Sequence, residues 1–320
     1  VSVPPSLAPP ELPVVGPAVV TLGVFDGVHA GHRAMLEATR VAAAERGVAS
    51  VAIVFDPPPD EVLRPGNVVE RLAPLGEVLR RISDDCGIGH ALPLRFDDAL
   101  RSLAPEEFLD AIAGSIQLRA LVMSPESAFG RGRAGTVARL RQIGAERGFE
   151  VLTVDPVVAD GSVVSSSRLR ELITAGDVAA AGRIGSVPYL EGEVVAGDHR
   201  GRGLGYPTAN LSFDYRPAVP ANGIYVGRAA VPDRGVGQRH PALVSIGVRP
   251  TFHTEGTVLV EVHLLDFDGD LYRATLELEV LERLREERRF ETVDQLVAQM
   301  HRDEASARRF LGLPPRQAPG

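Results

Sequence analysis

Between Asp26 and His32 the chain places an aspartate, two glycines and two histidines, inside "TLGVFDGVHAGHRAML" (Thr21 to Leu36). A strand that ends in a glycine-containing turn and feeds a helix aims backbone N–H groups and the positive end of a helix dipole at one spot, which suits an anion. His29 and His32 stand three residues apart across Gly31, so both imidazoles can converge on a phosphate while glycine permits close approach. They would donate hydrogen bonds to a phosphoryl oxygen whose charge grows in the transition state, with no covalent nucleophile. Taken alone, the spacing also fits a turn with two exposed histidines. A metal pair lacks a third His or Cys nearby. Downstream, "GDHRGRGLGYPTANL" (Gly197 to Leu211) carries four glycines and two arginines ahead of Pro-Thr-Ala-Asn. The backbone of such a loop can cradle phosphates, and Thr208 and Asn210 add a hydroxyl and an amide oxygen, hard ligands that magnesium accepts. A glycine-rich barrel loop with no ligand is the plainer alternative.

The elements around these residues follow from periodicity. "AVVTLGVF" and "VASVAIVF" read as buried strands, with an alanine-rich helix closing at Gly47 between them. Strand, helix and strand repeat through "PEEFLDAI", "RALVM", "TVARLRQIGAERG" and "EVLTVDPVV", which predicts an α/β doubly wound, Rossmann-like domain with a parallel sheet. After a short helical pair at Ser165 to Ala181, the segments "YLEGEVVAG", "GIYVGRAAV", "PALVSIG", "LVEVHLLDF" and "LYRATLELEVLERL" alternate without helices. They predict a small antiparallel β-barrel, with "DFDGDL" as a tight hairpin. Thr292 and Gln295 form a capping-box pattern before a C-terminal amphipathic helix. The expected domains are residues 1–187 and 188–320, divided near Pro188.

Composition narrows the chemistry. All 34 basic residues are arginine, so a P-loop lysine, a protein-kinase strand lysine and Schiff-base chemistry are excluded. Phosphates must be met by arginine, backbone N–H groups and helix N-termini. A net charge of −8 argues against a nucleic-acid partner. The single cysteine, Cys86, allows neither an intramolecular disulfide nor a cysteine zinc site. With no signal-peptide pattern and no run of about 18 apolar residues, the expectation is a soluble cytoplasmic protein with no membrane partner.

The first stretch resembles the H-x-G-H signature of the nucleotidyltransferase superfamily, and "SSSRLR" (Ser165 to Arg170) resembles its second signature, S-[ST]-x-[IL]-R. The glycine loop, "PTAN", "GIYVG", "SIGVRPTF", "VEVHLLDF" and "LREERRF" resemble, in that order, the riboflavin kinase module. Together, from about Val19 to Leu311, the chain resembles the prokaryotic bifunctional riboflavin kinase/FMN adenylyltransferase family, also called FAD synthetases. The resemblance implies that His29, His32 and Arg170 act on the ATP polyphosphate. Gly23, Phe25, Asp26, Gly31, Ser165 and Ser166 then surround the nucleotide. It further implies a kinase site with Gly197, Arg200, Gly201, Gly203, Gly205 and Pro207 at the phosphates, Mg2+ on Thr208 and Asn210, and Glu261 as base. Riboflavin, FMN, FAD and ATP are the implied partners. Two departures fall in the first half: Pro58 stands where that family reads histidine, and Glu126 and Ser127 stand where it reads Asp or Asn and Phe. Three readings follow, namely a two-reaction enzyme, a kinase beside a repurposed nucleotidyltransferase domain, and a non-catalytic flavin or nucleotide sensor. Thr208, Asn210 and Glu261 occurring together speak against the sensor.

Overall fold

The computed structural model describes residues 6–197, 206–248 and 258–316. Five strands form a wholly parallel sheet: β1 (Gly16–Gly23), β2 (Ala49–Asp56), β3 (His90–Arg95), β4 (Ile116–Met123) and β5 (Glu150–Thr153), in the order β3-β2-β1-β4-β5. The near-continuous apolar runs of β1, β2 and β4 are explained by burial on both faces. On one face Val19, Ala120 and Val122 pack with Ala42 and Ala43 of α1 (Ala30–Arg46). On the other, Val20, Ile53 and Leu121 pack with Phe108 of α2 (Pro105–Ala113) and Leu140 of α3 (Val137–Arg147). Each large aliphatic side chain buried this way contributes about 1.5–3 kcal/mol. The strand order reverses beside β1, where open α/β sheets present ligand crevices, and β1 leads straight into the histidine turn.

The second unit is a closed barrel of antiparallel strands: β6 (Tyr189–Val195), β7 (Ala209–Ser212), β8 (Gly223–Val231), β9 (Val236–Val248), β10 (Val258–Leu264) and β11 (Thr275–Arg285), in the order β6-β7-β10-β9-β8-β11. Alternation sends Val260, Val262 and Leu264 of β10 inward, against Val244, Ile246, Leu276 and Leu278. Closure leaves no sheet edge to protect. The C-terminal helix α6 (Val293–Leu311) covers part of the outer face, with Ala307 packed against Val226, Leu243 and Leu265. The Thr292 hydroxyl caps this helix by accepting from the Gln295 N–H at 3.2 Å, while the Gln295 side chain accepts from the Glu291 N–H.

One expectation is corrected. "DFDGDL" is not a hairpin, because β10 and β11 are not neighbours: β10 pairs with β7 and β9, and β11 with β6 and β8. Its Asp and Gly residues serve a longer crossing, with the Leu265 N–H donating to Pro241 at 2.9 Å and the Tyr272 N–H to the Asp270 carboxylate at 3.0 Å. The chain forms two compact units. They are Val1–Val69 with Pro74–Ser166, and Glu70–Ala73 with Ser167–Gly320. The short helices α4 (Ser166–Thr174) and α5 (Val178–Arg183) look like a continuation of the α/β pattern, yet Val178 packs into the barrel core. Among the described residues no helix is long and apolar enough to cross a membrane.

Candidate functional site

At the carboxyl end of β1 the backbone turns through left-handed conformations at Phe25 (φ 53°), Gly27 (φ 76°) and Val28 (φ 45°). For phenylalanine and a β-branched valine such φ values cost on the order of 1–2 kcal/mol each. Strain of this kind persists only where the surroundings impose it. Here the Phe25 carbonyl accepts from the Val28 N–H at 2.9 Å, the Asp26 carbonyl from the Ser166 hydroxyl at 3.2 Å, and the Gly27 carbonyl from Arg81 Nη1 at 3.2 Å. The first and second signatures therefore meet directly, through Asp26 and Ser166.

His29 is the N-cap of α1, its Nδ1 accepting from the His32 N–H at 3.4 Å. The two imidazoles stack, 3.7 Å between centroids, and Phe25 packs against His32 at 5.2 Å. A Cβ on Gly31 would lie 3.2 Å from the His29 ring, so glycine is what lets the ring seat there. His32 Nδ1 is buried with no hydrogen-bond partner among the described residues. Burial, and secondarily the neighbouring His29, push the His32 pKa well below its ordinary value. A buried, unpaired donor-acceptor group at a helix N-terminus is arranged to take a hydrogen bond from, or give one to, an incoming ligand.

Sequence reasoning placed Gly23, Phe25, Asp26, His29, Gly31, His32, Ser165 and Ser166 in the first unit, and the structure gathers Phe25, Asp26, His29, Gly31, His32 and Ser166 at this turn. Arg170 instead belongs to the second unit, where its Nε donates to the Glu70 carbonyl at 2.6 Å. Arg81 and Glu77 were not singled out. Arg81 reaches the turn while its Nε donates to the buried Glu77 carboxylate at 2.5 Å. "GEVLRRISDD" looks like any charged helix, and only the fold reveals this bond. Of the departures, Pro58 is buried and Glu126 is exposed. The Ser127 hydroxyl bonds that of Ser124 at 2.6 Å.

In the barrel unit, Asn210 of β7 pairs with Glu261 of β10 on one side and with Val195 of β6 on the other. Paired residues share a face, and Glu261 alternates with inward Val260 and Val262, so Asn210 and Glu261 lie side by side on the outer face. Asn210 is only 5% exposed, and its Oδ1 is buried without a hydrogen-bond partner among the described residues. A Cβ at Gly197 would sit 2.1 Å from Asn210 Nδ2. A cavity of about 670 Å³ adjoins Asn210, lined by Gly197, Pro207, Thr208, Asn210, Val262 and Tyr272 among others, with Glu261 outside its lining. Arg200, Gly201, Gly203 and Gly205 lie outside the described residues, as does "RPTF". Among the described residues no cluster of His, Cys, Asp and Glu is grouped to hold a metal. Thr208 and Asn210 offer a hydroxyl and an amide oxygen instead.

Residues 13–168 match the FAD synthetase family and residues 184–311 the riboflavin kinase family. The bifunctional riboflavin kinase/FMN adenylyltransferase of Escherichia coli K12 is 35% identical over 298 residues, 92% of this chain and 93% of its own. That of Pseudomonas fluorescens is 37% identical over 91% of this chain and 92% of its own. A crystal structure described as a macrolide-efflux protein from Streptococcus pneumoniae superposes with a TM-score of 0.85 at 30% identity, covering 94% of this chain and 97% of that one.

Proposed function

Because the chain belongs to the bifunctional riboflavin kinase/FMN adenylyltransferase family, we propose that its barrel unit phosphorylates riboflavin and its α/β unit adenylylates the resulting FMN to FAD. The observation that carries the kinase half is the unpartnered Oδ1 of buried Asn210 beside Glu261. An acceptor left unpaired in the free protein costs about 1–3 kcal/mol, which a ligand can return. Thr208 and Asn210 supply the hard oxygen donors that fit Mg2+. Bound there, Mg2+ would neutralise charge on the ATP phosphates.

Glu261 takes the proton of the riboflavin 5′-hydroxyl as that oxygen bonds the γ-phosphorus of ATP, while the bond from the γ-phosphorus to the bridging oxygen breaks and ADP leaves. In the α/β unit a phosphate oxygen of FMN bonds the α-phosphorus of a second ATP, the bond to the β-phosphate breaks, and pyrophosphate leaves. No side chain needs to bond the substrate. His29 and His32 donate to the polyphosphate oxygens, and the strained turn holds them in place. Arg170 is assigned to the leaving pyrophosphate by its place in the second signature.

A chromatographic time course of the purified chain with ATP and Mg2+, started from riboflavin and separately from FMN, tests the assignment. FAD should form from both starts. FMN that accumulates without FAD favours the kinase-only reading, to which Pro58, Glu126 and Ser127 already point, and flavin bound without turnover removes the kinase as well. Glu261→Gln should abolish FMN formation and leave flavin binding intact; Arg170→Ala should abolish FAD formation and spare the kinase.

A further inference from the structure

Tyr206 immediately precedes Pro207-Thr208-Ala209-Asn210, yet it is only 2% exposed and its partners come from elsewhere in the barrel unit. Its hydroxyl lies 3.0 Å from the Glu304 carboxylate and 3.0 Å from His301 Nδ1, both on α6. A carboxylate can only accept, so the single hydroxyl proton goes to Glu304, and the oxygen is left to accept from His301. Glu304 is itself 3% exposed and receives Arg308 Nε at 2.8 Å and Arg316 Nη1 at 2.9 Å. Burial would raise its pKa, but Arg308, Tyr206 and Arg316 outweigh that and hold it below the usual carboxylate value. Arg308 also pairs with Asp266, just past the end of β10.

The same segment is gripped from a second side. His263 Nδ1 is 2.8 Å from the Pro207 carbonyl, which can only accept, so this nitrogen carries the proton. His263 lies two residues beyond Glu261 on the same outer face of β10, and its ring meets Tyr206 edge to face at 5.1 Å. Tyr206 and Pro207, the two residues that lead into Thr208 and Asn210, are thus fixed to α6 and to the strand that carries Glu261.

We infer that Tyr206 and Glu304 are positioning residues of the kinase site: through one buried hydroxyl-carboxylate hydrogen bond, the C-terminal helix sets where Thr208 and Asn210 stand relative to Glu261. Neither side chain needs to touch substrate. The role rests on the kinase reading above. It explains why a helix on the outside of a closed barrel buries a carboxylate and a guanidinium, where packed apolar residues would ordinarily serve as well.

The test is Tyr206→Phe in the full-length chain, which keeps the ring and removes only the hydroxyl. The Mg2+ concentration at half-maximal FMN formation should rise on the order of tenfold, the scale of one hydrogen bond to a charged group. Amide exchange across 207–212 should accelerate several-fold without any ligand present. FAD formation from supplied FMN serves as the internal check on folding and should stay within twofold. Glu304→Ala, which also removes the Arg308 and Arg316 bonds, should shift the Mg2+ requirement at least as far, and adding Tyr206→Phe to it should give no further shift, because the hydroxyl-carboxylate bond is already gone. Equal losses in both reactions, or additive Mg2+ shifts, would overturn the role. So would a Tyr206→Phe chain that matches wild type while wild type makes FMN. A wild-type chain that makes no FMN would remove the kinase reading, and this role with it.

Discussion

Replacing Asn210 by leucine should separate stability from catalysis. The Asn210 side chain is buried on the outer face of β7, and among the described residues its Oδ1 has no hydrogen-bond partner. In the ligand-free protein that acceptor has left water for nothing, a loss of about 1–3 kcal/mol. Leucine has nearly the same shape and no acceptor, so Asn210→Leu should unfold no earlier than wild type and up to about 2 kcal/mol later. For a unit of this size that corresponds to a rise in Tm of roughly 4–8 °C. With the metal donor gone, FMN formation should fall at least on the order of a hundredfold, and Mg2+ with ADP should no longer raise the barrel unit's melting temperature. Calorimetric melts with and without Mg2+ and ADP, beside the chromatographic assay, read both halves. A variant that loses more than about 2 kcal/mol would show that Oδ1 is already satisfied in the free protein. The reasoning from an unpaired acceptor to a metal ligand would then fail.

Gly197→Ala puts a methyl group 2.1 Å from Asn210 Nδ2; the amide must swing aside, and FMN formation should fall about 10–100-fold, as for displaced outer-shell support of a metal ligand, with FAD formation from FMN unaffected. Arg81→Met removes one donor to the Gly27 carbonyl at the strained turn and should slow FAD formation about tenfold while sparing the kinase; equal slowing of both reactions would count against a local role. The depressed pKa of His32 means the folded chain binds fewer protons than the unfolded one. The stability this group contributes is therefore present above about pH 6.5 and lost as pH falls below it. Polyphosphate should reverse the shift, so nucleotide binding near pH 6 should take up protons. Calorimetry in two buffers of different ionisation heat would show it, and identical heats would refute it.

Much of the fold was legible because its signals are local. The valine-rich runs of β1 and β2 could be nothing but buried strands, and alternation in "LVEVHLL" announced a half-buried barrel strand. The histidine turn was legible for the same reason, since strand, turn and helix follow one another without a break between Gly16 and Arg46. What escaped depends on contacts between distant segments. "DFDGDL" has hairpin chemistry, but barrel closure pairs its flanking strands with others, and no turn propensity reports that. The helices at Ser166–Arg183 carry small apolar residues that suit either unit, and only the seat of Val178 in the barrel core assigns them. Arg81 and Tyr206 were invisible as site residues because their partners, Gly27 and Glu304, are about fifty and a hundred positions away.

Glu70–Ala73 lies among residues of the first unit in sequence but belongs to the second in space. Arg71 exchanges backbone hydrogen bonds with Arg216 and Ala218, each 2.8 Å, and the Glu70 carbonyl takes the Arg170 guanidinium. The two units are therefore not separable with one pair of scissors. A fragment beginning at Ser167 would lack a strand-like strip of its own surface and leave the Arg216 carbonyl and the Ala218 amide without their partners. For anyone dividing or recombining this chain, the cut that looks natural on paper removes four residues that the barrel already owns.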